Sequence, residues 1–134
     1  MPKREKARIL IAEDDEIIGG MIKQMLGRMG YSSLVCTDPF DALTLFKQAS
    51  ERFDAVILDY MMPGLLGTEL AAQLLSIRPD IPIILTTGRG DMLSMEQVRE
   101  SGVRATLIKP ILKERLQAVL KGLLKQAWTS PATE

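Results

Sequence analysis

The sequence predicts an α/β fold, a doubly wound parallel sheet of five strands with five helices packed on both of its faces. Three observations predict it. Five short apolar runs, at residues 9–12, 34–36, 55–58, 81–85 and 105–108, start 25, 21, 26 and 24 residues apart, which is the length of one strand plus one helix. The runs are rich in Ile, Leu and Val and hardly alternate, as strands covered on both faces require. Segments with helical spacing fill the intervals, so strand and helix alternate five times.

The first strand runs straight into Glu13, Asp14, Asp15 and Glu16. The helix that follows carries Ile17, Ile18, Met21, Ile22, Met25, Leu26 and Met29 at intervals of three and four, and Gly30 is expected to stop it in a left-handed conformation. Met21, Met25 and Met29 read as core filler. Asp15 and Glu16 favour the positive end of this helix. The second strand holds Cys36, the single cysteine, read as a buried inert thiol. Asp38 is a good N-cap for the second helix, with Pro39 in its first turn and Ala42, Leu45, Phe46 and Ala49 facing inward.

Asp59 follows the third strand, and the third helix spans about Gly67–Ile77, with Leu70, Leu74 and Ile77 inward and Pro79 beyond its end. Thr86 and Thr87 follow the fourth strand. Arg89, Gly90 and Asp91 spell a tripeptide found in adhesion ligands, read here as coincidence, and a fourth helix is expected over residues 92–101, closed by Gly102. The fifth strand leads to Lys109 and Pro110. The fifth helix carries Leu112, Leu116, Val119, Leu120 and Leu123, with Gly122 expected to loosen its last turn.

At 134 residues the chain is long enough for one self-sufficient core. Residues 1–7 form a basic leader, 8–126 the folded domain and 127–134 a polar tail. Seventeen basic residues balance seventeen acidic ones, and one Trp, two Tyr and three Phe are too few for a stacking surface, so no nucleic acid partner is expected. No apolar run reaches the length of a membrane span, the start lacks a signal-peptide core, and one cysteine excludes an internal disulfide. A soluble, cytoplasmic protein is expected.

Ligands of open doubly wound sheets sit at the carboxyl ends of the strands, where the strand order reverses. The polar residues placed there are Glu13, Asp14, Asp59, Thr86, Thr87 and Lys109. If the order is 2-1-3-4-5, strands one and three are neighbours and Asp14 faces Asp59. Converging carboxylates disfavour joint ionisation, and a divalent metal removes that penalty. Hard oxygen ligands suit Mg²⁺, whereas a chain with no histidine and one cysteine does not suit zinc. Two cations, a hydroxyl and a carboxylate nucleophile are the parts phosphoryl transfer needs.

The segments "ILIAEDDE", "FDAVILDYMMPGLLG", "IPIILTTG" and "ATLIKP" together resemble the receiver domain of two-component response regulators, including receiver modules of hybrid histidine kinases, over roughly residues 7–125. The resemblance implies a flavodoxin-like three-layer sandwich in the order 2-1-3-4-5. It implies that Asp59 accepts a phosphoryl group from a histidine kinase or histidine phosphotransfer protein. Asp14 would bind Mg²⁺ directly, Glu13 through a water, and the Met61 backbone carbonyl would be a further ligand. Thr87, followed by the small Gly88, would turn its hydroxyl toward the phosphoryl group, Lys109 would grip a phosphoryl oxygen, and a cis bond would precede Pro110. Such a protein is a switch that phosphorylates and dephosphorylates itself and changes its binding to a downstream protein. It is part of an enzyme only where it belongs to a hybrid kinase.

The chain departs from the pattern at Thr106, where many receivers carry Tyr or Phe. A threonine does not sweep the volume of a ring, which leaves a docking module without phosphorylation as the alternative reading. An aspartyl-phosphate phosphatase would want a second Asp at Met61. A flavin site would want a Ser/Thr/Gly-rich loop where "EDDE" stands.

Overall fold

The structure, a computed structural model, describes residues 6–89 and 91–127. The elements are β1 (Arg8–Ala12), α1 (Glu16–Arg28), β2 (Ser32–Cys36), α2 (Pro39–Ala49), a 3-10 turn at Ser50–Arg52, β3 (Ala55–Asp59), α3 (Gly67–Ile77), β4 (Ile83–Thr87), α4 (Met95–Ser101), β5 (Ala105–Ile108) and α5 (Lys113–Ala127). All neighbouring strands pair in parallel, in the order β2-β1-β3-β4-β5, so the flavodoxin-like architecture is the one found. The register sets Leu10 against Val56, Asp59 against Thr86 and Thr87 against Ile108.

Strand side chains alternate between two cores. Leu10, Val56, Leu58, Ile83 and Leu85 pack with Phe46, Leu70 and Leu74 from α2 and α3. Ile9, Ile11, Ile57 and Ile84 pack on the other face with Ile22 and Leu26 of α1 and Leu116, Leu120 and Leu124 of α5. Each fully buried Leu, Ile or Phe contributes about 2–3 kcal/mol of transfer free energy, so these two layers hold the helices against the sheet. Every residue of β3 is buried, whereas β2 and β5 lie at the edges and expose Leu34 and Ile108.

Capping explains where the helices begin. Asp15 accepts from the N–H groups of Ile17 and Ile18, and Asp38 from that of Phe40, with Pro39 at the first helical position. Gly30, with φ of 93°, follows α1 as expected.

Several expectations are corrected. β4 begins at Ile83, not residue 81, because Pro82 has no N–H to give to a ladder. The fourth helix starts at Met95, since Ser94 and Gln97 form a capping box that places the boundary there. Met25 and Met29 pack against the core, but Met21 is exposed rather than core filler, as is Ile17 of the same stripe, because the buried stripe of α1 is the narrower one through Gly19, Ile22 and Leu26. Leu112 is exposed, lying before α5 begins, and α5 continues through Gly122 to Ala127. Cys36 is half-buried at an edge strand, and burial pushes its thiol pKa up, with Asp41 and Asp38 adding to the effect. The leader before Lys6 and the tail beyond Ala127 lie outside the described residues.

Candidate functional site

The sheet delivers its polar residues to one end. Glu13 directly follows β1, its N–H donating to the Cys36 carbonyl at 3.1 Å, so the first acidic residue is pinned by the ladder's continuation. Asp59 is the last residue of β3 and is buried. The N–H of Tyr60 donates to the Thr86 carbonyl at 2.8 Å and that of Lys109 to the Thr87 carbonyl at 2.8 Å, which ties the strand ends together laterally. Sequence order scatters these residues over almost a hundred positions; the parallel ladder makes them neighbours.

Carboxylate oxygens of Glu13, Asp14 and Asp59 lie within 4.8 Å of one another. Lys109 Nζ stands 3.0 Å from Glu13 Oε1 and 3.0 Å from Asp59 Oδ1. Asp14 is exposed at the mouth, while Glu13 and Asp59 form the floor. Glu13 Oε2 accepts from the N–H of Asp15 at 3.1 Å. Glu13 Oε1 is buried, and its one close partner is the Lys109 ammonium at 3.0 Å.

The electrostatics follow from burial. Burial pushes the Glu13 carboxyl up to about 7; the charge of Asp59 adds to the rise, while the Asp15 amide and Lys109 only partly offset it. Burial works to lower the Lys109 pKa, but the hydrogen bonds and charges of Asp59 and Glu13 outweigh it and leave it raised. Three carboxylates facing one ammonium leave two uncompensated negative charges when all are ionised. That is the charge of one divalent cation, and the clustered carboxylate oxygens of Glu13, Asp14 and Asp59 are suitable hard ligands for it.

The two threonines play different parts. Thr86 is buried, and its hydroxyl donates to the Leu58 carbonyl at 3.4 Å inside the sheet. Thr87 is half-buried at the rim, one residue beyond the register partner of Asp59. Met61 lies in the connection between β3 and α3 with its side chain exposed. The Lys109–Pro110 bond is cis. All the residues singled out at the strand ends therefore share one end of the sheet.

Two participants escaped the sequence. Gly67 opens α3 against the back of β3, its N–H donating to the Tyr60 carbonyl at 2.7 Å; a Cβ there would collide with the Asp59 carbonyl and come within 2.9 Å of Tyr60 Cα. The tight loop that follows Asp59 demands that approach. The other is Asp91, whose carboxylate accepts from the N–H of Gly88 at 2.7 Å. Beside Lys109, an apolar groove of about 460 Å³ opens between α1 and the β5–α5 connection, lined by Met21, Met25, Pro110 and Ile111 among others.

Residues 9–121 match the response regulator receiver domain, and the chain belongs to that family. A relative is the response regulator MprA of Mycobacterium bovis, 35% identical over 127 residues, covering 95% of this chain and 54% of the relative. The chain thus spans about half the length of the curated relatives it matches. Among solved structures, a response regulator receiver domain protein from Clostridium thermocellum superposes with a TM-score of 0.85 at 27% identity, covering 90% of this chain and 95% of its own. The receiver domain of a sensor histidine kinase from Pseudomonas aeruginosa, which holds a magnesium ion in its active site cleft, shares the fold with a TM-score of 0.80 at 24% identity, over 90% and 98% of the two chains. Among the described residues no helix is long and apolar enough to cross a membrane.

Proposed function

We propose that this chain is a cytoplasmic phosphorylation switch in which Asp59 accepts a phosphoryl group from a phosphohistidine on a histidine kinase or histidine phosphotransfer protein. The observation that carries the reading is the Lys109 ammonium held 3.0 Å from both Glu13 and Asp59, beside the third carboxylate of Asp14. An Asp59 oxygen attacks phosphorus in line; the O–P bond forms as the P–N bond breaks, and the imidazole leaves with the bonding pair and recovers its proton balance from water. Lys109 presents its charge to the oxygens of the transferring group, and Thr87 presents its hydroxyl. Glu13, Asp14, Asp59 and the Met61 backbone carbonyl would hold Mg²⁺, which when bound neutralises charge on the transferring oxygens. The reverse of the modification is hydrolysis: water attacks phosphorus, the O–P bond breaks and the Asp59 carboxylate returns.

A phosphoryl group brings close to two negative charges to the rim of the sheet, enough to bias a surface by a few kcal/mol and change what a downstream protein binds. The apolar groove beside Lys109 offers the phosphodonor contact area next to the reacting atoms. Incubation with a small-molecule phosphodonor, with Mg²⁺ or with chelator, followed by intact-mass measurement, tests the reading. The expected result is one added phosphoryl group with Mg²⁺, almost none with chelator, and slow consumption of donor. An unchanged mass in the presence of demonstrably bound Mg²⁺ would make the domain a docking module instead.

A further inference from the structure

We propose that Phe40 is a positioning residue: its ring clamps the turn at Gly64 and so holds the loop between β3 and α3 in the shape that presents the Met61 backbone carbonyl as a metal ligand. The inference rests on the magnesium reading above only for its last step, from loop to metal.

The loop that carries Met61 is fixed at both ends. The N–H of Tyr60 donates to the Thr86 carbonyl at 2.8 Å, and the Tyr60 carbonyl accepts from the N–H of Gly67 at 2.7 Å. At the far end the N–H of Leu66 donates to Glu69 Oε1 at 2.8 Å. Between these anchors the chain turns at Pro63 and Gly64. Met62 is buried and Leu65 packs partly against the core beneath α2 and α3, so each is held by its own side chain. Gly64, between them, has no side chain to hold it.

The Phe40 ring supplies that hold from outside. Gly64 has φ of 87°, a conformation glycine adopts freely. A Cβ there would lie 3.0 Å from Phe40 Cε2 and 3.6 Å from Cζ, so the ring edge rests on the face of the turn that the missing side chain leaves open.

The ring is presented by a rigid element. Phe40 stands in the first turn of α2, where its N–H donates to Asp38 Oδ1 at 2.8 Å, and Pro39, Ala42, Leu43 and Phe46 of the same helix are buried. Phe40 itself is 50% exposed, and Phe has no intrinsic advantage at an exposed helical position. Core packing does not account for an aromatic at this place; contact with the loop does.

The consequence falls on Met61. Its carbonyl turns only if the Met61–Met62 peptide rotates, and with the Met62 side chain buried that rotation has to be taken up by the turn that follows. A ring resting on the turn opposes it. Groups that orient a metal ligand without touching the metal are worth about tenfold or more in metal affinity.

Calorimetric titration with Mg²⁺, backbone amide relaxation of the metal-free protein, and urea unfolding in chelator, all on the full chain, decide it. Phe40→Ala should weaken Mg²⁺ binding about tenfold while leaving the unfolding midpoint nearly in place. In the metal-free protein the heteronuclear NOE at Met61, Met62 and Gly64 should fall in Phe40→Ala and stay at its wild-type value at Tyr60 and through α3. Phe40→Met keeps an apolar side chain of similar reach and adaptable shape, and should restore most of the affinity and of the NOE. Wild-type affinity or unchanged loop relaxation in Phe40→Ala, a loss of affinity that tracks a loss of global stability, or no rescue by Phe40→Met overturns the proposal. Wild type that binds no Mg²⁺ would instead strike the metal reading of the site, and the metal-free relaxation of the Ala and Met variants would still judge the clamp.

Discussion

The two sides of the site are built to different standards. On one side Asp59 ends β3, all five residues of which are buried between two helical layers, and Gly67 closes in behind it with no space for a methyl group. On the other side Thr87 runs into a hydrogen-bonded loop and a seven-residue helix without a single buried residue, next to an edge strand of which only Leu107 is buried. The difference teaches where precision is needed and where movement is cheap. Reacting groups gain from being held rigidly, because misplacement by an ångström is costly in phosphoryl transfer. A surface that must change shape has to come from the weakly packed end of the stability range.

Core truncation gives the largest expected effect and the sharpest contrast. Leu58→Ala on β3 should cost about 3 kcal/mol in urea unfolding, whereas Val98→Ala, at a half-buried apolar position of α4, should cost less than about 1 kcal/mol. Comparable losses at the two positions would break the comparison. Next comes Lys109→Met, which leaves three neighbouring carboxylates without their ammonium. A loss of about 2 kcal/mol is expected at pH 8 without Mg²⁺, and adding Mg²⁺ should recover much of it.

A smaller effect comes from the buried acid. Glu13 has its pKa raised from 4.5 to about 7 by folding, so the native state binds a proton that the unfolded chain does not hold between those values. The ionised form is the penalised one: metal-free stability falls as pH rises from 4.5 to about 7 and is flat above it. Wild type without metal should lose about 1 kcal/mol between pH 6 and pH 8 through this group, a loss absent in Glu13→Gln. The smallest effect belongs to the loose side. Ser94→Ala removes the capping bond to Gln97 and should fray α4 by about 1 kcal/mol in local hydrogen exchange while leaving the global unfolding midpoint nearly in place.

The same contrast governs what could be read from the residues in advance. The strand centres declare themselves because a strand buried on both faces must be continuously apolar, and the residues that end such runs, Glu13, Asp59, Thr87 and Lys109, are conspicuous against them. Neighbouring strands then bring these ends together once the order is known. The edge is written more faintly. Met21 and Ile17 share the helical period with truly buried Ile22 and Leu26, and period alone does not say how wide the buried stripe is. Met92 looked helical because nothing apolar or polar marked the boundary except Ser94, whose capping role depends on Gln97 three residues later. Asp91 was invisible, since a carboxylate reaching back three residues to an N–H is local geometry with no periodic signature.

The central claim is that Asp59 is the atom-level acceptor in a cage of Glu13, Asp14 and Lys109. Borohydride trapping after treatment with phosphodonor and Mg²⁺, followed by peptide mapping, tests it directly, because hydride converts an acyl phosphate to an alcohol at the residue that carried it. The account predicts reduction at position 59 in wild type and none in Asp59→Asn. Reduction at Asp14 or another carboxylate, or undiminished trapping in Asp59→Asn, would contradict it.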